Sequence, residues 1–247
     1  MSGKLKKEVY KMSSNSLVYV ELHGHRGELL LNREKQKNAL TGPLVDELKS
    51  GLQTLIEDPE CHVILLRGSG GVFCAGLDVK AFFSPPTPAW VVDFADNWSS
   101  FHAALYACRK PVIGALEKYA IGGGAALALG CDLLVAGNQA FMHVLELEKG
   151  LAAPLNVAWL QIKWGAARSL DLALGAERWN GVELVKKGLA YKAVPDDLVL
   201  EEARALADRL AGYPPKGLID MMGAIKAAAS GEDFNTILAR IRESLQM

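Results

Sequence analysis

The tightest constraint on this 247-residue chain is a recurring handover, in which short apolar runs suited to strands give way to segments of helical spacing. Residues 17–22 alternate as a strand does and residues 27–31 make a second, so a hairpin is expected with its turn at 23–26. Thr41 suits a helix cap, Pro43 a first turn, and Leu44, Leu48, Leu52 and Leu55 recur on one helical face until Asp58 and Pro59 stop the run. A strand is expected at 63–67, ending at Gly68. The pattern then repeats: helix 90–107, strand 111–116, helix 123–129 and strand 133–136, followed by helical runs at 156–162, 167–174 and 181–187. Residues 198–246 read as nearly all helix, broken at Tyr213-Pro214-Pro215 and at Gly231, with the turn into this tail near 193–197. Strands alternating with helices, then helices alone, describe an α/β core followed by a helical C-terminal part.

Composition narrows the classes of function. Half of the residues are hydrophobic and Lys plus Arg (27) nearly balance Asp plus Glu (28), for a net charge of −1. Such a chain can bury a core, and it has no cationic excess to hold nucleic acid or an anionic membrane. No apolar run approaches the roughly 18–20 residues of a membrane span. The four cysteines (Cys61, Cys74, Cys108, Cys131) lack paired spacing, which fits a reduced, cytoplasmic protein. Residues 1–16 are polar and basic without the apolar centre of a signal peptide and are expected to be a loose, flexible extension. The histidines show no metal-ligand spacing, so no metal is expected.

Two stretches carry the chemistry: Gly71-Val72-Phe73-Cys74-Ala75-Gly76-Leu77-Asp78 and Tyr119-Ala120-Ile121-Gly122-Gly123-Gly124-Ala125-Ala126. Glycine where a strand passes into a helix leaves backbone N–H groups uncovered, and two such groups converging form an oxyanion hole. Taken singly, each stretch reads equally well as a tight turn with close helix packing. Neither is a P-loop, since no Lys-Ser or Lys-Thr follows the triple glycine, and neither has dinucleotide-site spacing.

Together with Leu31-Asn32-Arg33 and Asn38-Ala39-Leu40 upstream and Cys131-Asp132 downstream, this pair of motifs resembles the crotonase superfamily, the enoyl-CoA hydratase/isomerase family. The resemblance runs from Leu17 to about Lys226. It implies an α/β fold built as a crotonase-like spiral of ββα units (17–195) and a helical C-terminal oligomerisation region (196–247), assembling as a homotrimer or hexamer. It implies acyl-CoA thioester substrates, coenzyme A entering as part of the substrate with no further cofactor. The thioester oxygen would lie at the backbone N–H groups of Leu77 and Gly123. Lys37, Asn38, Ala39, Leu40, Ala75, Gly76, Asp78 and Gly122 would contact CoA and substrate, and Lys35 and Lys37 are placed to meet its phosphates.

The departures from the family's pattern shape the expected reaction. Family hydratases carry two glutamates; the first position is Ala126 here, and the second matches Glu146. The context Glu146-Leu147-Glu148-Lys149-Gly150-Leu151-Ala152-Ala153-Pro154 resembles the family's Δ3,Δ2-enoyl-CoA isomerases. One carboxylate suffices to take a proton from C2 and return it at C4, whereas adding water is work that two carboxylates share. Glu117 and Lys118 stand where Asn-Gly is common, Glu34 where proline is common, and no acidic-Gly-Phe-Lys-Arg segment occurs near residue 247. These departures leave acyl-length preference open. Glu148 is the local competitor of Glu146. His143, Cys74, Cys131, Trp159 and Trp164 read as structural. The expected activity is an enoyl-CoA isomerase with Glu146 as acid and base. The alternatives are a hydratase or other crotonase-type lyase, and a non-catalytic acyl-CoA binder.

Overall fold

The computed structural model describes residues 7–9, by their backbone, and 15–229. Its elements run β1 (Lys7–Val9), β2 (Val18–His23), β3 (Arg26–Leu31), α1 (Gly42–Glu57), β4 (Val63–Gly68), α2 (Val79–Phe82), α3 (Phe94–Ala107), β5 (Val112–Leu116), β6 (Tyr119–Ile121), α4 (Gly123–Gly130), β7 (Leu133–Gly137), β8 (Phe141–His143), α5 (Pro154–Gly175), β9 (Trp179–Asn180), α6 (Gly181–Lys186), β10 (Lys192–Val194), α7 (Val199–Ala211) and α8 (Pro215–Ala229). Seven strands form one sheet in the order β1-β2-β3-β4-β5-β7-β10, and β6, β8 and β9 form a second. The β2–β3 hairpin is antiparallel, while β3, β4, β5, β7 and β10 run parallel.

Each turn of the fold places one strand in the large sheet, a shorter one outside it, and then a helix. β5, β6 and α4 make one such unit, and β7, β8 and α5 the next. After β4, the stretch around Cys74 takes the place of the short strand by pairing parallel with Ala120. This is the repeating ββα spiral. The expected hairpin is present, with Gly24 at φ 61° in its turn. On α1, Leu44, Leu48, Leu52 and Leu55 are all buried, so the helical spacing read from the sequence marks the face that enters the core.

The structure departs from expectation in three places. Lys7–Val9 lies within the segment expected to be loose, yet it pairs antiparallel with 21–23 as an edge strand. The helix expected over 90–107 begins only at Phe94, because residues 89–91 form a separate 3-10 turn. The runs 156–162 and 167–174 join as α5, with Gly165 (φ 76°) marking the kink between them. The helical tail begins after β10, at the turn expected near 193–197, and α7 lays Ala203, Leu206, Ala207 and Ala211 against Val63, Leu65, Ile113, Ala115 and Val135. These sheet residues face away from the larger core, where α1, α3, α4 and α5 pack. Strands buried on both faces read as continuous apolar runs, which is why β4 and β5 lack alternation. The break at Tyr213-Pro214-Pro215 separates α7 from α8 as expected. Gly231 and the rest of 230–247 lie outside the described residues.

Candidate active site

The C-terminal ends of β6 and β8 lie side by side, and the two glycine stretches arrive there together. Cys74 N–H donates to the Tyr119 carbonyl at 3.2 Å and Ile121 N–H to the Cys74 carbonyl at 3.1 Å, aligning the first stretch with the second. The Lys37–Leu40 segment runs along its other side. Ala75 N–H bonds the Lys37 carbonyl (3.1 Å), Leu40 N–H the Gly76 carbonyl (2.7 Å), and Asp78 N–H the Leu40 carbonyl (2.9 Å). In this parallel register Gly76 and Asp78 face Leu40, so the N–H of Leu77 points to the opposite side.

Gly76 is what permits the approach. Its φ is 84°, and a β-carbon there would lie 2.5 Å from the Ile121 carbonyl oxygen and 3.5 Å from the Gly123 nitrogen. The Leu77 and Gly123 amides therefore belong to touching backbone segments. Gly122, at φ 55° and ψ −117°, makes the turn from β6 into α4. Gly123 is the first residue of that helix, where an N–H has no intrahelical acceptor. Helix polarity favours developing negative charge at such an end.

The carboxylate reaches the same place by strand pairing. Ile121 pairs with His143 across β6 and β8, and Gly122 N–H bonds the His143 carbonyl at 2.9 Å. The chain beyond β8 then turns through Leu145 into a short 3-10 helix that begins at Glu146. Glu146 Oε1 would stand 3.4 Å from a β-carbon on Gly122. It accepts a hydrogen bond at 3.1 Å from Nδ2 of Asn156 in the first turn of α5. Its other oxygen, Oε2, is buried without a hydrogen-bond partner. Burial pushes the Glu146 carboxyl above its ordinary value; its backbone N–H, His143 and the Asn156 amide offset this only in part. A carboxyl so placed exchanges a proton more readily at neutral pH than a solvated one does.

The sequence-derived candidates separate into two groups. Leu77, Gly123, Gly122, Gly76 and Glu146 come together here, and Lys37–Leu40 lies alongside Ala75–Asp78. The Asn38 side chain is fully buried and spent internally, so any contact with substrate there would come from the backbone. Nδ2 donates to the carbonyls of Ser69 (3.0 Å) and Val72 (2.6 Å), and Oδ1 accepts from Arg33 N–H (3.0 Å) and the Ser69 hydroxyl (3.2 Å). A buried amide with every group paired is a strut for the loop. Asp78 is committed in the same way, capping α2 through Ala81 N–H (3.0 Å) and pairing with Arg33 (3.1 Å). Ala39 and Leu40 are buried, while Lys35 and Lys37 are exposed beside them.

Glu148 turns aside to His143 Nε2 at 3.0 Å, which leaves Glu146 as the carboxylate against the glycine turn. Ala126, one helical turn beyond Gly123, is buried, so no second acid occupies that position. Burial pushes the Cys74 and Cys131 thiols up to about 12, and neither is a nucleophile at neutral pH. Trp159 packs in the core and donates to His102 Nδ1 at 2.8 Å, and Trp164 donates to the Gly188 carbonyl. Asn156 belongs to no motif; the signal that could have found it is a lone amide at the head of an otherwise apolar helix turn, Leu155-Asn156-Val157.

Elsewhere, ligand atoms of Glu21, His23 and Glu28 lie within 4.8 Å of one another. Glu28 there already accepts from Arg67 (2.7 Å) and Arg204 (2.8 Å), and guanidinium groups so close oppose a metal cation.

Comparison with known proteins places the chain among relatives. A family model described as enoyl-CoA hydratase/isomerase matches residues 27–244. A Dictyostelium discoideum protein named "Probable enoyl-CoA hydratase, mitochondrial" is 33% identical over 195 residues, 78% of this chain and 69% of its own length. The Rattus norvegicus protein named "Delta(3,5)-Delta(2,4)-dienoyl-CoA isomerase, mitochondrial" is 28% identical over 97% of this chain and 74% of its own length. The crystal structure of an enoyl-CoA hydratase from Bacillus anthracis superposes with a TM-score of 0.85 at 26% identity, covering 93% of this chain and 90% of that one.

Proposed function

Because the chain belongs to the enoyl-CoA hydratase/isomerase family, we propose that it acts on an acyl-CoA thioester as an isomerase, moving a double bond from the 3 to the 2 position. The Leu77 and Gly123 amides hold the thioester oxygen. Glu146 removes a proton from C2, the negative charge of the dienolate collects on that oxygen, and the protonated Glu146 returns a proton at C4. The observation that carries this reading is the placement of Glu146 against the Gly122 turn, with Ala126 at the position one turn into α4. The reaction is a proton shuttle with charge held by amides, so it calls for no metal or redox cofactor, and coenzyme A arrives as part of the substrate. The exposed Lys35 and Lys37, at and just before the Lys37–Leu40 segment, would meet the CoA phosphates.

A 3-enoyl-CoA supplied to the enzyme tests the proposal through the absorbance of the conjugated thioester that forms. Appearance of the conjugated product, lost in Glu146→Gln, is the expected result. Hydration is the second reading, favoured by the hydratase names of the Dictyostelium relative and of the Bacillus structure. Formation of 3-hydroxyacyl-CoA from 2-enoyl-CoA, without isomerisation of the 3-enoyl compound, selects it. Binding of CoA thioesters with neither turnover nor C2 proton exchange identifies a binder.

The proposal includes self-association as a trimer or hexamer. Leu170 and Leu174 on α5 and Met221 and Ile225 on α8 are exposed apolar residues that such an assembly would cover, and sedimentation reads the state directly. Among the described residues no helix is long and apolar enough to cross a membrane. The four free, buried thiols suit a reducing compartment such as the cytoplasm.

A further inference from the structure

We propose that Asn156 is a positioning residue that ties the proton-transferring carboxylate of Glu146 to the Gly122–Gly123 peptide, the unit whose N–H serves the thioester oxygen. This rests on the roles given above to Glu146 and Gly123. The Asn156 amide group donates twice: at 3.1 Å to Glu146 Oε1 and at a longer 3.4 Å to the Gly122 carbonyl. That carbonyl and the Gly123 N–H are the two ends of one planar peptide. One side chain thus holds the base and the back of the oxyanion donor in a fixed relation. Drawing on the carbonyl also polarises the peptide, which makes its N–H the stronger donor.

The placement argues for function over packing. Asn156 is 1% exposed, in the first turn of α5, yet its side-chain amide donates to Glu146 and Gly122, outside that helix. Its own Oδ1 is buried with no partner, as is Glu146 Oε2. A buried amide kept with an unpaired acceptor weakens the fold relative to an apolar side chain of the same size. Ala126 N–H also bonds the Gly122 carbonyl, at 3.1 Å, so Asn156 adds to an anchored peptide and is not needed to form the helix. The Oε1 bond leaves Oε2 as the oxygen free to take the substrate proton.

The test uses the full chain with a turned-over enoyl-CoA. Asn156→Leu is nearly isosteric and removes the donor; Asn156→Ala serves if the leucine variant does not fold. The expected result is a loss in kcat of about 10²-fold, the size of effect that slight misplacement of a reacting group produces, with KM little changed and the thermal midpoint retained. The rise of kcat with pH, which reports ionisation of the base, shifts to higher pH because a donor to the ionised form is gone. Unchanged kcat, or a lower kcat with that rise unmoved, overturns the proposal. Glu146→Gln separates the two levels. Full turnover by that variant overturns both the proposed function and the role of Asn156. An inactive Glu146→Gln beside an unaltered Asn156→Leu overturns the role of Asn156 alone.

Discussion

Two carboxylates are drawn out of water in this molecule, Glu28 fully and Glu146 in part, and are treated in opposite ways. Glu28, on β3, is fully buried, and both of its oxygens are taken by the guanidinium groups of Arg26, Arg67 and Arg204. Burial alone would raise its pKa, but hydrogen bonds and charge from Arg204 and Arg67 outweigh this and bring it from 4.5 to about 2. Glu146 has one neutral amide on one oxygen and nothing on the other, and burial carries its pKa upward. The contrast separates a group fixed in one charge state from a group left able to change it. Full satisfaction makes a structural anchor, and an unpaired oxygen beside the Gly122 turn leaves proton affinity available for chemistry.

Substitution of each carboxylate breaks the comparison in a different observable. Glu146→Gln is expected to lower kcat by roughly 10²–10⁴-fold, the usual worth of a general base, with the fold intact by circular dichroism. Glu28→Gln is expected to leave turnover of the folded enzyme near normal. It should cost about 3–5 kcal/mol of stability, because Arg67 and Arg204 lose their carboxylate partner while Arg26 keeps Asp208; chemical denaturation measures this. If Glu28→Gln proves as stable as the parent chain, the anchor reading fails. Gly76→Ala probes the backbone between the two regions. Its β-carbon meets the Ile121 carbonyl at a positive φ, so a loss of about 1–3 kcal/mol is expected together with slower turnover.

The remaining effect is in pH, and its sign differs between the two groups. Glu28 has a depressed folded pKa, so its contribution is complete above its unfolded value near 4.5 and is lost as pH falls toward 2. The melting temperature should drop across that window, and the drop should be smaller in Glu28→Gln. Glu146 has a raised folded pKa, so its protonated form is the favoured one and stability falls as pH rises through that value. Glu146→Gln should therefore melt no lower than the parent at neutral pH. A clearly lower midpoint there would remove the distinction between anchor and shuttle.

Legibility in the sequence followed the length of the pattern. α1 shows four buried leucines at helical spacing, and β2 alternates buried and half-buried residues along its whole length. Both were readable because periodicity accumulates over six residues or more. The second sheet was not: β6 and β8 have three residues each and β9 two, too short for any period to register. Yet this is the layer that delivers Gly122 and Glu146 to one place. Asn38 shows a second kind of limit. Its identity stands out in the sequence, but whether a buried amide faces ligand or braces a loop depends on what else can pair with it.

The order of the glycine stretches, the alanine at 126, the glutamate at 146 and the leucine stripe of α1 are written in the chain, since each depends on residue type and near spacing. The neighbourhood of Leu77 with Gly123, the turning of Glu148 toward His143, the commitment of Asn38 to its loop and the bond from Asn156 to Glu146 were decided by the tertiary structure. Their partners lie five to 46 positions apart, and hydrogen bonding acts only over about 3 Å. Only the closing of the backbone turns brings such groups within that reach.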